Sequence, residues 1–236
     1  MTSLKKETLQ QLTSRIKGLD QSALTERGYS FISSGCIKLD DFIPGGGLPL
    51  GGLVEVLSGE ATGALRLSLS WAQKSIASKA AWAVLDAGAS FYPPAAQPLG
   101  LEIAKLILVR CPARQAAWAF NQLLRCPDVG ASFLDAHDLG RGLDNMTYRR
   151  LQLAAERGQG LGFILRPREA ARRPCWAALR LLVEPNAEQK VLRVTLLHAR
   201  GASRRSGSGD SIEIGMNDAT LSVPVPAALA AATPAV

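Results

Sequence analysis

Residues 55–66 run Glu55-Val56-Leu57-Ser58-Gly59-Glu60-Ala61-Thr62-Gly63-Ala64-Leu65-Arg66, and the interpretation of the whole chain turns on them. Residues 54–58 are an apolar run of strand length, and residues 65–78 place Leu65, Leu69, Ala72 and Ile76 on one helical face. The glycines therefore sit in a strand-to-helix turn, the setting of a P-loop, where backbone N–H groups and the helix N-terminus cradle phosphate. A working loop closes with Gly-Lys-Ser or Gly-Lys-Thr, because the lysine neutralises the terminal phosphates and the hydroxyl ligates magnesium. This one closes with Gly63-Ala64-Leu65, and neither apolar side chain can do either job. Taken alone, the segment reads equally well as a turn that holds no ligand.

Working outward, Pro44-Gly45-Gly46-Gly47-Leu48-Pro49 is a turn-forming stretch just upstream. Downstream, strands predicted over 81–87, 105–111, 131–135 and 160–166 alternate with helices over 115–124 and 147–157. That alternation predicts an α/β fold, with a mostly parallel central sheet flanked by helices. Residues 176–183 and 191–198, turned at Pro185-Asn186-Ala187-Glu188, predict an antiparallel pair at one edge. At the N-terminus, residues 4–17 carry Leu9, Leu12 and Ile16 at helical spacing. Residues 203–210 read as a linker, 211–216 and 219–223 as a small hairpin, and 224–236 as a mobile Ala/Pro tail. The organisation expected is a helix and linker over 1–28, a core over 29–202 and a linker, hairpin and tail over 203–236.

With 236 residues, 47% hydrophobic and 20% charged, the chain has the composition of a soluble globular protein. No apolar run reaches the roughly 18 residues of a membrane span, and residues 1–17 lack the apolar core of a secretory signal, so a cytoplasmic location is expected. Cys36, Cys111, Cys126 and Cys175 lie far apart without zinc or redox spacing, and His137 and His198 are isolated, so no metal site is expected. The net charge of +7 is uneven. Residues 1–140 hold 13 basic and 12 acidic side chains, residues 141–205 hold 14 and 5, and the remainder holds none and 3. The middle stretch alone is thus +9, a field that attracts nucleic acid or an acidic protein surface.

The glycines of the first loop do not stand alone. Ser33-Ser34-Gly35-Cys36-Ile37-Lys38-Leu39-Asp40, Gly46-Gly47-Leu48-Pro49-Leu50-Gly51-Gly52-Leu53-Val54-Glu55-Val56 and Gly59-Glu60-Ala61-Thr62-Gly63 together resemble the start of the RecA recombinase core. The likeness continues through Ala83-Val84-Leu85-Asp86-Ala87, Pro93 and Leu99-Gly100, covers roughly residues 31–200 in order, and is specific at first and weaker later. It implies a RecA-like core, and it exposes further departures. Gly88 stands where the family's glutamate activates water, and Arg166 where recombinases use a glutamine to sense the γ-phosphate. Asp135 resembles the family's retained Walker B aspartate but lacks its hydroxyl partner. Losing one such group costs several kcal/mol of barrier lowering. The resemblance therefore implies a pseudo-ATPase with no catalytic residue and no cofactor, in which Gly59, Glu60, Gly63, Ala64, Leu65 and Asp135 are the remains of a nucleotide-binding loop.

Tyr148-Arg149-Arg150-Leu151-Gln152-Leu153-Ala154-Ala155-Glu156, followed by Gly160-Leu161-Gly162-Phe163-Ile164-Leu165-Arg166-Pro167, resembles a stretch of the ImuA family. That resemblance implies an accessory role in SOS mutagenesis and translesion DNA synthesis, with an inactive Y-family polymerase homologue of the ImuB type and RecA as partners. Two other readings stand beside it, a SulA-type cell-division inhibitor and a weak ATP-dependent DNA recombinase.

In RecA-like proteins the loops after the fourth and fifth core strands face single-stranded DNA, and here they correspond to about 140–147 and 167–176. The second supplies Arg168, Arg172, Arg173 and Trp176, with Arg166 just before it. Guanidinium groups suit phosphate and a tryptophan can stack on a base, so these residues are the candidate contact for weak single-stranded DNA binding or for an acidic partner. The loop is shorter than a recombinase would be expected to use. Leu9, Leu12 and Ile16 are the candidate protein interface, toward RecA or a second copy of this chain.

Overall fold

A computed structural model describes residues 29–59, 63–137, 139, 143–174, 176–186, 191–200 and 209–215. The expected N-terminal helix with Leu9, Leu12 and Ile16, the strand over 219–223 and the Ala/Pro tail lie outside the described residues. In chain order the elements are β1 (Ser30–Ile32), α1 (Ile37–Phe42), β2 (Leu48–Leu50), β3 (Leu53–Ser58), α2 (Ala64–Trp71), α3 (Gln73–Ala77), β4 (Ala81–Leu85) and β5 (Leu106–Val109). They continue with α4 (Ala113–Arg125), β6 (Val129–Asp135), α5 (Asn145–Gly158), β7 (Leu161–Pro167), β8 (Leu179–Asn186), β9 (Val191–Ala199) and β10 (Ser211–Gly215).

An eight-stranded sheet runs in the order β10-β9-β8-β3-β7-β6-β4-β5. From β8 to β5 every neighbouring pair is parallel, whereas β9 and β10 close the other edge antiparallel. The expected fold is therefore the observed one, a mostly parallel sheet with helices and an antiparallel edge. The central strands are buried along nearly their whole length and mostly apolar, because both faces are covered. Val54, Val56, Phe163, Leu165 and Val183 meet Leu69, Trp71 and Ile76 of α2 and α3 on one face. Leu53, Leu134 and Ile164 meet Phe120, Leu151 and Ala155 of α4 and α5 on the other.

Three local details differ from the sequence expectation. The single helix expected over 65–78 is divided at Ala72, whose N–H is shared between the carbonyls of Ser68 and Leu69, and Ser75 Oγ then anchors α3 on the Gly130 carbonyl at 2.6 Å. The strand expected to open at Trp176 opens at Leu179. The last strand, β10, pairs with β9 from Ser211↔Thr195 to Gly215↔Val191, so it extends the main sheet.

Helices α4 and α5 approach closely at one point, where a Cβ on Gly158 would stand 2.0 Å from the Leu124 carbonyl oxygen. Replacing Gly158 by alanine should push the two helices apart and lower stability by about 1–3 kcal/mol, the usual cost of overpacking a fitted contact. A denaturant melt with an unchanged midpoint would show that the contact is not needed.

Candidate functional site

Strand register decides which loops share an edge. Ser58 lies beside Pro167 and Val183, Asp135 beside Leu165, and Leu85 beside Leu134. The segments beginning at Gly59, Asp86, Ala136 and Arg168 thus all leave the carboxyl ends of the parallel strands, the edge at which open α/β sheets hold ligands.

Gly63 opens α2 in the left-handed conformation, with φ +69° and no atom within 4 Å of where a Cβ would be. Backbone conformation, and not crowding, selects glycine there. The next position, Ala64, is 6% exposed and belongs to the core, and Leu65 packs against the same cluster. The two positions that should carry a cation and a hydroxyl therefore supply apolar surface to the sheet-to-helix contact. Gly59 is half-buried, and Glu60 lies outside the described residues.

Asp135 ends β6 half-exposed, with His137 Nδ1 2.7 Å from its carboxylate and the His137 N–H donating to it at 3.1 Å. Partial burial pushes the Asp135 pKa up, but the two His137 bonds and the histidine charge outweigh it and hold the group below its ordinary 3.8. A carboxyl with a depressed folded pKa contributes stability that is complete above its unfolded pKa and disappears as pH falls through the folded one. Replacing Asp135 by asparagine should therefore flatten the loss of stability below about pH 4, as read by urea melts across pH.

Asp86 is buried and closes its own loop, accepting from the N–H groups of Ser90 at 2.9 Å and Phe91 at 3.2 Å, with Arg110 Nε at 3.4 Å. Gly88, in the following turn, is exposed and brings no carboxylate. Among the described residues no group of three or more His, Cys, Asp or Glu side chains is placed to hold a metal.

Arg166 is not a surface contact. It is 5% exposed, and its Nη1 donates to Glu55 Oε1 at 2.8 Å while its guanidinium lies 5.8 Å over the Tyr148 ring. The expectation that it meets DNA or an acidic partner is corrected: β7 extends through Pro167, which keeps Arg166 in the sheet beside Leu57. The second Glu55 oxygen accepts from Nε of Arg180, also buried, in a short contact. Arg180 Nη1 in turn donates to the carbonyls of Ala171 at 3.2 Å and Arg173 at 2.9 Å. One buried carboxylate thus holds two buried guanidiniums, and one of those holds the loop after β7. Replacing Glu55 by glutamine leaves two buried cations without their anion, and should cost about 3–5 kcal/mol of stability. A loss under about 1 kcal/mol in chemical denaturation would refute the assignment of this cluster as the structural anchor.

The anchored loop is a short 3₁₀ turn, Arg168–Arg172, seated by buried Ala170. Arg168, Arg172 and Arg173 point outward; of these, Arg168 meets Glu184 at 3.1 Å. Trp176 is less available, since the Arg149 guanidinium covers its ring at 4.8 Å and its Nε1 bonds Asn145 at the start of α5.

The RecA N-terminal domain model matches residues 14–135. The chain belongs to that family. Among solved structures, one similar to this RecA-family chain is described as the crystal structure of the RadB recombinase, with TM-score 0.61, 15% identity and coverage of 80% of this chain and 97% of that one. At that identity the likeness shows the fold alone. No curated protein matches the chain.

Residues outside the RecA motifs hold the core together at the opposite end of β3. Gln152 Oε1 accepts from the first β3 N–H, at Leu53, at 3.2 Å, and its Nε2 donates to Tyr29 Oη at 2.9 Å. Arg200 Nη1 donates to the same Tyr29 oxygen at 3.2 Å and lies 3.5 Å from Glu156. Burial, helped by Glu156 and opposed by Arg200, pushes the Tyr29 pKa up and keeps the phenol neutral. Sequence reading passed over this network and over Glu55 and Arg180. A signal existed only for the last two, as lone charges inside apolar strands.

Proposed function

We propose that this RecA-family chain is a non-catalytic accessory protein of damage-induced mutagenesis and translesion DNA synthesis, of the ImuA type. Membership of the RecA family supports a role related to DNA repair or recombination. The observation that carries the non-catalytic reading is the place of Ala64, buried in the core, and of Leu65, packed against it, where an ATPase needs a phosphate cation and a magnesium ligand. Arg166, fastened to Glu55, supports it further, because a side chain committed to a buried ion pair is not free to sense a terminal phosphate. The stretches 148–156 and 160–167 carry the resemblance to ImuA. On this reading the chain works by holding partners, an inactive Y-family polymerase homologue of the ImuB type and RecA, with Arg168, Arg172 and Arg173 supplying weak, salt-sensitive contact to single-stranded DNA.

The test pairs two measurements on the full chain. Co-expression with the polymerase homologue and with RecA should give stable complexes that survive gel filtration, and phosphate release from ATP with magnesium should stay at the buffer rate. Magnesium-dependent hydrolysis abolished by changing Gly63 or Asp135 would overturn the non-catalytic reading. Capture of the tubulin-like division protein in place of the polymerase homologue would move the assignment to a SulA-type inhibitor.

A further inference from the structure

A groove of about 500 Å³ runs along α4 and α5 and shares no lining residue with the degenerate loop. Its floor is low because Ala117 and Ala154 line it, and Asn121 Nδ2 ties the helices together by donating to the Arg150 carbonyl at 3.3 Å. Its apolar rim is formed by Trp118, 69% exposed, and Leu153, 45% exposed. Arg114 and Arg125 stand along it from α4, and Arg150 and Arg157 from α5.

The charge along this groove has one sign. No acidic residue lines it, and α4 contains none at all. The one acid within α5, Glu156, is turned toward Tyr29, Gln152 and Arg200. The ion pairs of the described residues do not include any of the four arginines. Asp144, at the start of α5, is the nearby carboxylate that Arg150 acts on.

We propose that this groove docks an acidic amphipathic segment of a protein partner. Its apolar anchors rest on Trp118 and Leu153, and its carboxylates meet the four arginines. A trough between two helices with an apolar floor is the geometry that receives the apolar face of a helix. Arg114 and Arg125 stand eleven positions apart on α4. That is about 16 Å of groove, enough for roughly three turns of a docked helix. Tryptophan and arginine are also the residue types that dominate binding energy at such interfaces. Nucleic acid suits the site less well, because phosphates reaching the arginines of both helices would have to cross an apolar floor. The inference rests on the groove itself and holds whether or not the chain serves translesion synthesis.

Sorting a displayed library of random peptides against the full chain tests it, with oligothymidylate as the competing probe. Sequences joining Leu, Phe or Trp to Asp and Glu should be enriched, and their binding should weaken as salt rises. W118A and R150E, both exposed changes that should leave the unfolding midpoint in place, should each weaken the selected peptides roughly tenfold or more. No enrichment, enrichment without acidic bias, or binding indifferent to both variants overturns the proposal. Oligothymidylate that binds the wild type and is lost from both variants, while no acidic peptide is selected, assigns the groove to nucleic acid and overturns it equally. Failure here leaves the complexes with the polymerase homologue and RecA as a separate question, since those are read by co-purification.

Discussion

The carboxylate of Glu55, buried in the central strand between the guanidiniums of Arg166 and Arg180, is the interaction on which the ligand edge of this fold depends. Taking three charges out of water is costly, by several kcal/mol for each ion, and the cost is offset only when every oxygen and N–H is well placed. Here both carboxylate oxygens are engaged, and Arg180 spends further donors on Ala171 and Arg173. The same group therefore joins three neighbouring strands, β7, β3 and β8, and fixes the backbone of the basic loop. A neutral core at this point would pack the sheet and leave that loop to find its own position.

The consequence for function follows from what the cluster forbids. A nucleotide switch needs a side chain at the end of β7 that answers to a phosphate on β3's loop, and a loop that moves with it. Arg166 is paired with Glu55 inside the sheet, and the helix after the β3 loop opens with Ala64 and Leu65. On the proposed non-catalytic reading neither end of the would-be switch distinguishes a triphosphate, and without differential affinity there is no conformational signal to send.

Much of this was legible in the sequence, and the parts that were not have physical reasons. The parallel strands stand out because runs such as 54–58 and 160–166 carry apolar residues on both faces, broken only by single polar or charged positions, which a doubly covered sheet requires. The antiparallel edge is legible in β9, where Leu192, Val194 and Leu196 are buried and alternate with less buried neighbours. Strands β1 and β2 escape because three residues are too few to show a period, and their pairing from Ser30↔Leu50 to Ile32↔Leu48 rests on the glycine turn between them. Arg166 reads as the end of its strand, just before the basic loop, because an arginine after Phe-Ile-Leu looks like a charge leaving the sheet. Its true place follows from a partner 111 residues away in sequence, and the Arg180 partner is 125 away, separations that no spacing rule reaches. The motif positions Gly59, Gly63 and Asp135 were found from their local pattern, whereas the groove between α4 and α5 depends on how two helices sit side by side, which a single helical period does not encode.

Both candidate binding surfaces share one property, rigidity supplied from beneath. The basic loop is held through its carbonyls by Arg180, so Arg168, Arg172 and Arg173 leave a fixed backbone, and ordering it adds little to the entropy cost of binding. The helical groove is held by the close approach at Gly158 and by the Asn121 bond to the Arg150 carbonyl, so its arginines need only settle their side chains. A catalytic RecA core needs motion between its states; a scaffold gains from its absence, because binding energy not consumed in ordering the surface remains available as affinity. On the proposed reading the absent phosphate cation and the buried ionic clamp serve the same end, a sheet edge that holds its loops in place for partners.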